Sequence, residues 1–335
     1  MRGMGRTARS RRPKSALRRI SVIFGVVALA WAWNGTGLLA QEPGVLIYVT
    51  DPGNARVVRV ADMTGAGWTT VGSRATGARQ FAFQSGIFVD ASGRIYFTDA
   101  SASRIVRIDD MTGAGWTSFG SRGSGVHQFD LPAGIYVDAV GRIYVADASN
   151  ARIVRINDMT GAGWMSFGSR GAGANQFSFP QGVFVDAGGR IHITDALNDR
   201  VVRIGDLTGA GWSTVGSPGR GVRQFEFPAG VAVDGTGRIY VTDSSNDRIV
   251  RMDDMNGAGW TVFAGVASGG RVAEFVFPTG IAVDAVGRIY VTDEAHRIVR
   301  FDGMSGSGWV SLGDLGGGAR QFSFPSGIFV AGARR

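Results

Sequence analysis

The chain has 335 residues, of which 44% are hydrophobic, 19% are charged and 53 are Gly, the balance of a turn-rich globular protein and not of a disordered or coiled-coil one. Its formal charge of +8 resides in the first 19 residues (Arg2, Arg6, Arg9, Arg11, Arg12, Lys14, Arg18, Arg19); beyond them 27 basic side chains meet 27 acidic ones, so the overall charge gives no argument for a nucleic-acid partner. With no Cys, disulfides, thiolate nucleophiles and Cys-ligated metals are excluded, and with Lys14 the only lysine, so are a downstream Walker loop and a Schiff-base lysine.

The basic run ends at Arg19 and an apolar stretch, Ile20 to Trp33, follows before Asn34, Gly35, Thr36 and Gly37 break it. This is the order of an export signal, and fourteen apolar residues fall short of the roughly 20 that span a bilayer. We read residues 1–40 as a signal peptide, with an uncleaved anchor as the alternative, and place the mature domain, 41–335, in the periplasm or outside the cell. The membrane is then met only through the N-terminal segment if it is uncleaved.

From Val45 onward the chain repeats. Asp51, Asp99, Asp147, Asp195 and Asp243 each close a Tyr/His-x-Thr/Ala-Asp segment and lie 48 residues apart; Asp293 follows after 50, the extra residues falling in Gly265 to Glu274. Trp68, Trp116, Trp164, Trp212, Trp260 and Trp309 keep the same phase, so six copies are present. Within one copy, Gly134 to Asp138, Arg142 to Asp147, Arg152 to Ile156 and Trp164 to Phe167 are short β-branched and aromatic runs separated by turn residues. Four short strands per repeat and no helical period predict an all-β fold, a six-bladed propeller. The first copy enters at its second strand (Val45 to Asp51) and the last stops after its first (Phe324 to Val330), so the C-terminal strand is expected to complete the N-terminal blade and close the ring.

The unit seen best from Phe225 to Arg251, FEFPAGVAVDGTGRIYVTDSSNDRIVR, resembles the NHL repeat, and the resemblance covers all six copies. The family's namesake Asn falls on Asn54, Asn150, Asn198 and Asn246, its His has a counterpart only at His296, and Ala102 and Ala295 take the Asn place in copies two and six. NHL propellers resemble binding platforms, while related six-bladed folds include lactonases and lyases.

Positions alike in every copy serve what every blade needs. Asp90, Asp138, Asp186, Asp234 and Asp284 precede x-x-Gly-Arg, as in a hairpin turn whose carboxylate accepts backbone N–H bonds. The Asp51 to Asp293 set is expected to pair with the Arg of Arg152 type, with a cation ring near the axis as the alternative. The Asp-Met-Thr-Gly-Ala-Gly loops read as glycine turns that lead each Trp into the wedge between blades. His127, His192 and His296 share no pattern, so no zinc site is expected; no other metal or cofactor is expected either.

The linkers from the fourth strand of one copy to the first of the next vary most, which is where recognition is expected. They carry Arg74, Arg79, Arg122, His127, Arg170, Asn175, Arg220, Arg223, Arg271 and Arg320 against Asp130, Glu226, Glu274 and Asp314, an anion-leaning set of candidate binding residues. No catalytic residue is singled out. The expected function is an exported, non-enzymatic binding or scaffold propeller that docks a protein, a peptide or an anionic envelope glycan on this face. The alternatives are a lyase or lactone hydrolase at the channel mouth and a structural surface protein.

Overall fold

The computed structural model describes residues 45–332 apart from 74–80, 82 and 269–270, and leaves the side chains of 266–268 and 271–273 undescribed as well. The expected export segment lies outside the described residues. The chain divides into units 1–40 and 41–335, and every described residue belongs to the second. No helix among the described residues is long and apolar enough to cross a membrane.

Six four-stranded antiparallel sheets make up the fold. In blade 3 they run Pro132–Val137, Ile143–Asp147, Arg152–Ile156 and Met165–Phe167, close to the strands expected from the sequence. Blades 2, 4 and 5 repeat this, and blade 6 does so from Ile281 to Leu312. Blade 1 is assembled from both ends of the repeat array: Ile328–Gly332 pairs antiparallel with Val45–Asp51, Val330 opposite Ile47. The ring closes as expected.

The first strands surround the axis. A channel of about 190 Å³ is lined by Ile87, Ile135, Val183, Val231, Ile281 and Ile328 with their neighbours. Each first strand also carries a glycine at the seam to the next blade. A Cβ on Gly134 would stand 2.5 Å from the carbonyl oxygen of Gln181, and one on Gly327 2.3 Å from that of Ser85, which joins blade 1 to blade 2. Only glycine permits this approach of two backbones. A hydroxyl pins the same seam: the Thr194 Oγ1 accepts from Gly182 N at 2.7 Å and donates to Ala229 O at 2.5 Å. Thr50, Thr98, Thr242 and Thr292 do the same. Blade 3 has Ala146 there and lacks this link.

Side chains of adjacent blades interdigitate in separate apolar clusters; one joins Tyr96 and Ile105 of blade 2 to Ile135, Val145 and Ile156 of blade 3. Trp164 closes that cluster from outside, 5.4 Å from Phe129, and Trp68, Trp212, Trp260 and Trp309 stand in the same relation to Phe322, Phe177, Phe225 and Phe275. The tryptophans fill the inter-blade wedges as expected.

Two departures from the sequence reading appear in the linkers. Ser121–Arg122 pairs in parallel with Gln128–Phe129, and Ser169–Arg170 with Gln176–Phe177, so these segments are folded back on themselves. The Gln at their ends organises them, its Oε1 accepting from Gly125 N, Gly173 N, Gly221 N and Gly318 N at 2.8–3.0 Å. In the longer linker before blade 6, Gly265–Ser268 and Arg271–Glu274 form an additional hairpin.

Candidate functional site

The second-strand carboxylates are fully buried, and each is held by a clasp built from its own blade and the linker leading into it. Asp147 accepts from Asp130 N at 2.8 Å on one oxygen and from Asn150 Nδ2 and Arg152 Nε at 2.9 and 2.8 Å on the other. Asn150 goes on to Gly123 O, and the Arg152 guanidinium to the carbonyls of Ser124 and Gln128 while lying 5.6 Å over the Trp164 ring. Asp51, Asp195 and Asp243 repeat the arrangement with Asn54 and Arg56, Asn198 and Arg200, and Asn246 and Arg248. Burial pushes the Asp147, Asp195, Asp243 and Asp293 carboxyls up, against the pull of these donors. The Asn that marks the repeat is thus a strut between turn and linker, and the carboxylates pair with arginine as expected. No three of the described His, Asp or Glu residues converge to hold a metal ion.

The first-strand Asp turns also behave as expected. Asp234 accepts from Thr236 N, Arg238 N and Arg238 Nε, and these donors hold its carboxyl at about 2 despite partial burial. Tyr240 donates to the same carboxylate at 3.0 Å; in blade 4 His192 takes the place of this Tyr, its Nε2 2.9 Å from Asp186. Burial draws the His192 pKa down, and Asp186 partly offsets it. The Asp-Met-Thr loops are turns in which Asp158 accepts from the amide and hydroxyl of Thr160.

The clasp bonds put the linkers and the second-to-third-strand turns on one face, so the predicted residues can be located. Arg122 is exposed, 3.8 Å from Asp130; Arg170 donates to Ser149 O, and Arg220 to Asn246 Oδ1. His127, Asn175, Arg223 and Arg320, all in left-handed backbone, lie instead against the outer loop of the blade they lead into, over Gly161, Gly209, Gly257 and Gly65. Arg74, Arg79 and the Arg271 side chain lie outside the described residues. The seven that are described do not form one cluster. The turns, uncounted in the sequence reading, add Asp199, Asp247 and Glu294 to this face, so acids gather with Glu226 over blades 4–6 while Arg122 and Arg170 stand over blades 2–4. Burial and the neighbouring carboxylates push Asp199 and Glu294 up.

Sequence reasoning missed the residue before each first-strand Pro, or before Gln84 in blade 2. Phe83, Leu131, Phe179, Phe227, Phe277 and Phe324 form a crown where the linkers reach the axis; Phe83, Leu131 and Phe324 are 47%, 41% and 45% exposed. Leu131, Phe179, Phe227, Phe277 and Phe324 have φ between 43 and 60°, a strained backbone for a bulky side chain that costs about 1 kcal/mol or more each. The preceding blade's turn holds them there: Phe227 N donates to Asp199, Phe277 N to Asp247 and Phe324 N to His296 Nδ1. The signal was present in the repeated Phe-x-Phe-Pro, whose first ring is buried in every blade while the bulky residue two positions on recurs without being buried.

Within the channel the wall is uneven. Phe329, Phe88, Tyr136 and Phe184 form a chain of rings 4.8–5.0 Å apart, whereas blades 5 and 6 offer Ala232 and Ala282. Burial raises the Tyr136 hydroxyl to about 12, so it stays protonated.

No curated protein matches the sequence. Among solved structures, the chain is similar to a chain of a nidogen/laminin complex at 17% identity, covering 86% of this chain and 98% of that one with a TM-score of 0.62. It is similar to a protein of unknown function from Bacteroides caccae at 12% identity, 85% and 98% coverage and a TM-score of 0.56. A streptogramin B lyase aligns at 17% identity over 68% of this chain and 67% of that one, with a TM-score of 0.49. At these identities the likeness concerns the fold. The family model for the SMP-30/Gluconolactonase/LRE-like region matches residues 83–308, two thirds of the chain, and with the six-bladed ring this protein belongs to that family.

Proposed function

We propose that this protein is a non-catalytic binding propeller, exported by its N-terminal segment, that docks a protein or peptide on its linker face. The observation that carries this reading is the crown: bulky apolar side chains held in costly left-handed backbone while partly exposed to water. A strained, solvated apolar ring adds nothing to the core, and a partner's apolar side chains would gain from covering it. Arg122 and Arg170 to one side would meet acidic groups of that partner bidentately.

The buried carboxylates support binding over catalysis. A lactone hydrolase needs a base or a metal-held water, and the second-strand carboxylates Asp147 and Asp195 are committed to arginine, asparagine and backbone donors.

Two assays on one preparation test the reading. Capture from the producing organism's envelope fraction is compared between the native chain and a variant carrying Arg122→Glu and Arg170→Glu, and the native chain is incubated with lactones and divalent cations. A partner held by the native chain and lost by the variant, without lactone turnover, is the expected result. Turnover that co-purifies with the chain would overturn it.

A further inference from the structure

A second cavity lies away from the crown and the axis. It is about 560 Å³, within the range of small-molecule sites, and opens between blades 5 and 6 on the rim opposite the linkers. Its wall carries Arg238 and Arg251 from blade 5 and Arg288 and Arg300 from blade 6, with Tyr240, Val286, Met304 and one carboxylate, Asp302. We propose that this cavity is a binding site for a small dianionic molecule whose phosphate or carboxylate groups bridge the arginines of the two blades.

The arginines are held from behind. Arg238 Nε is 2.8 Å from Asp234 and Arg288 Nε 2.6 Å from Asp284, and both carboxylates are buried outside the lining. Such bonds fix the planar guanidinium before a ligand arrives, so less entropy is lost on binding. Arg251 has a buried Nε with no partner, and its terminal nitrogen makes a 3.2 Å bond to Thr261 and stands 4.0 Å from Asp253. Arg300 is 3.5 Å from Asp302, which is half exposed. Four guanidiniums thus face the space with one carboxylate among them, and each stays charged across the accessible pH range.

A departure from the repeat opens the cavity. In the other five blades the loop between the third and fourth strands begins with an Asp (Asp62, Asp110, Asp158, Asp206, Asp254) that folds the turn, and Met255 is buried beneath it. Blade 6 has Gly303 there. Its third and fourth strands extend into a longer hairpin, Asp302 opposite Ser307, and Met304 is left half-buried at the cavity wall. The carboxylate that the repeat would place at this rim is thus missing from the blade whose arginines, with those of blade 5, line this cavity.

The test restores that carboxylate. A Cβ at Gly303 meets nothing within 4 Å and Asp tolerates its left-handed backbone, so Gly303→Asp should leave the fold intact. Succinate, glucose 6-phosphate and inorganic phosphate are titrated into the full chain at low ionic strength by calorimetry, with Arg238→Gln as a second variant. We expect one dianionic probe to bind, with roughly tenfold weaker affinity in each variant, at an unchanged melting temperature for Gly303→Asp, and weakening with added salt. Preference for succinate or for the phosphates identifies the acidic group. The absence of binding by all three probes, or binding equal in native and Gly303→Asp chains, would overturn the proposal.

Discussion

Around the axis, six glycines stand against the next blade's backbone and five threonines bridge the seams, with a single exception at Ala146. At the perimeter between blades 5 and 6 the repeat relaxes: Gly303 replaces Asp, a hairpin lengthens and a cavity opens. The difference follows from distance to the axis. First strands touch across every seam, so an added methyl has nowhere to go, while the outer loops diverge and one can change without moving the next blade. A ring that must close tolerates variation only where closure is not at stake, and that is where ligand chemistry can be written.

That contrast can be broken at the regular positions. Removing a clasp, as in Asp195→Ala, leaves Arg200 and Asn198 without the buried carboxylate they share; a loss of about 3–5 kcal/mol is expected in denaturant unfolding. Gly134→Ala forces a methyl to within 2.5 Å of Gln181 O and should cost about 3 kcal/mol by the same measurement, whereas Gly141→Ala, in an open turn, is governed only by its φ of 89° and should cost less.

It can be sharpened by restoring the repeat. Ala146→Thr should supply the missing bridge between Gly134 N and Gln181 O and raise stability by about 1 kcal/mol. His192→Tyr should recover the Tyr–Asp contact of the other blades and remove an Nδ1 that has no partner. Because the folded His192 pKa lies below its unfolded value, the histidine's contribution is present above about pH 6.5 and is lost as pH falls. The gain from His192→Tyr should therefore be larger at acidic pH than at pH 8 in thermal melts.

The fold was legible because its determinants are local and repeated six times: alternating strands, Asx turns before Gly-Arg, a Trp in each wedge, and a lone first strand at the C-terminal end. The clasp was half legible, since Asp and Arg five residues apart suggest a pair, but Asn150 reaching Gly123 is a contact across 27 residues. The linkers were read as loops because Gln128 acts on a backbone amide whose position only the folded chain defines. Asp199, Asp247 and Glu294 were not counted with the face, since they belong to turns that the chain order separates from the linkers. The crown hid in plain pattern: an apolar residue between two structural ones looks like core until its exposure and backbone angle are known.

The most direct test of the central claim separates what the crown does for stability from what it does for binding. Leu131→Gly with Phe324→Gly relieves two left-handed side chains on the exposed rim, and melting temperature and partner capture are measured on the same preparation. The account predicts melting at or above that of the native chain together with loss of the captured partner. Lower melting with capture intact would mean that the crown holds the ring together, and the docking face would have to be sought elsewhere.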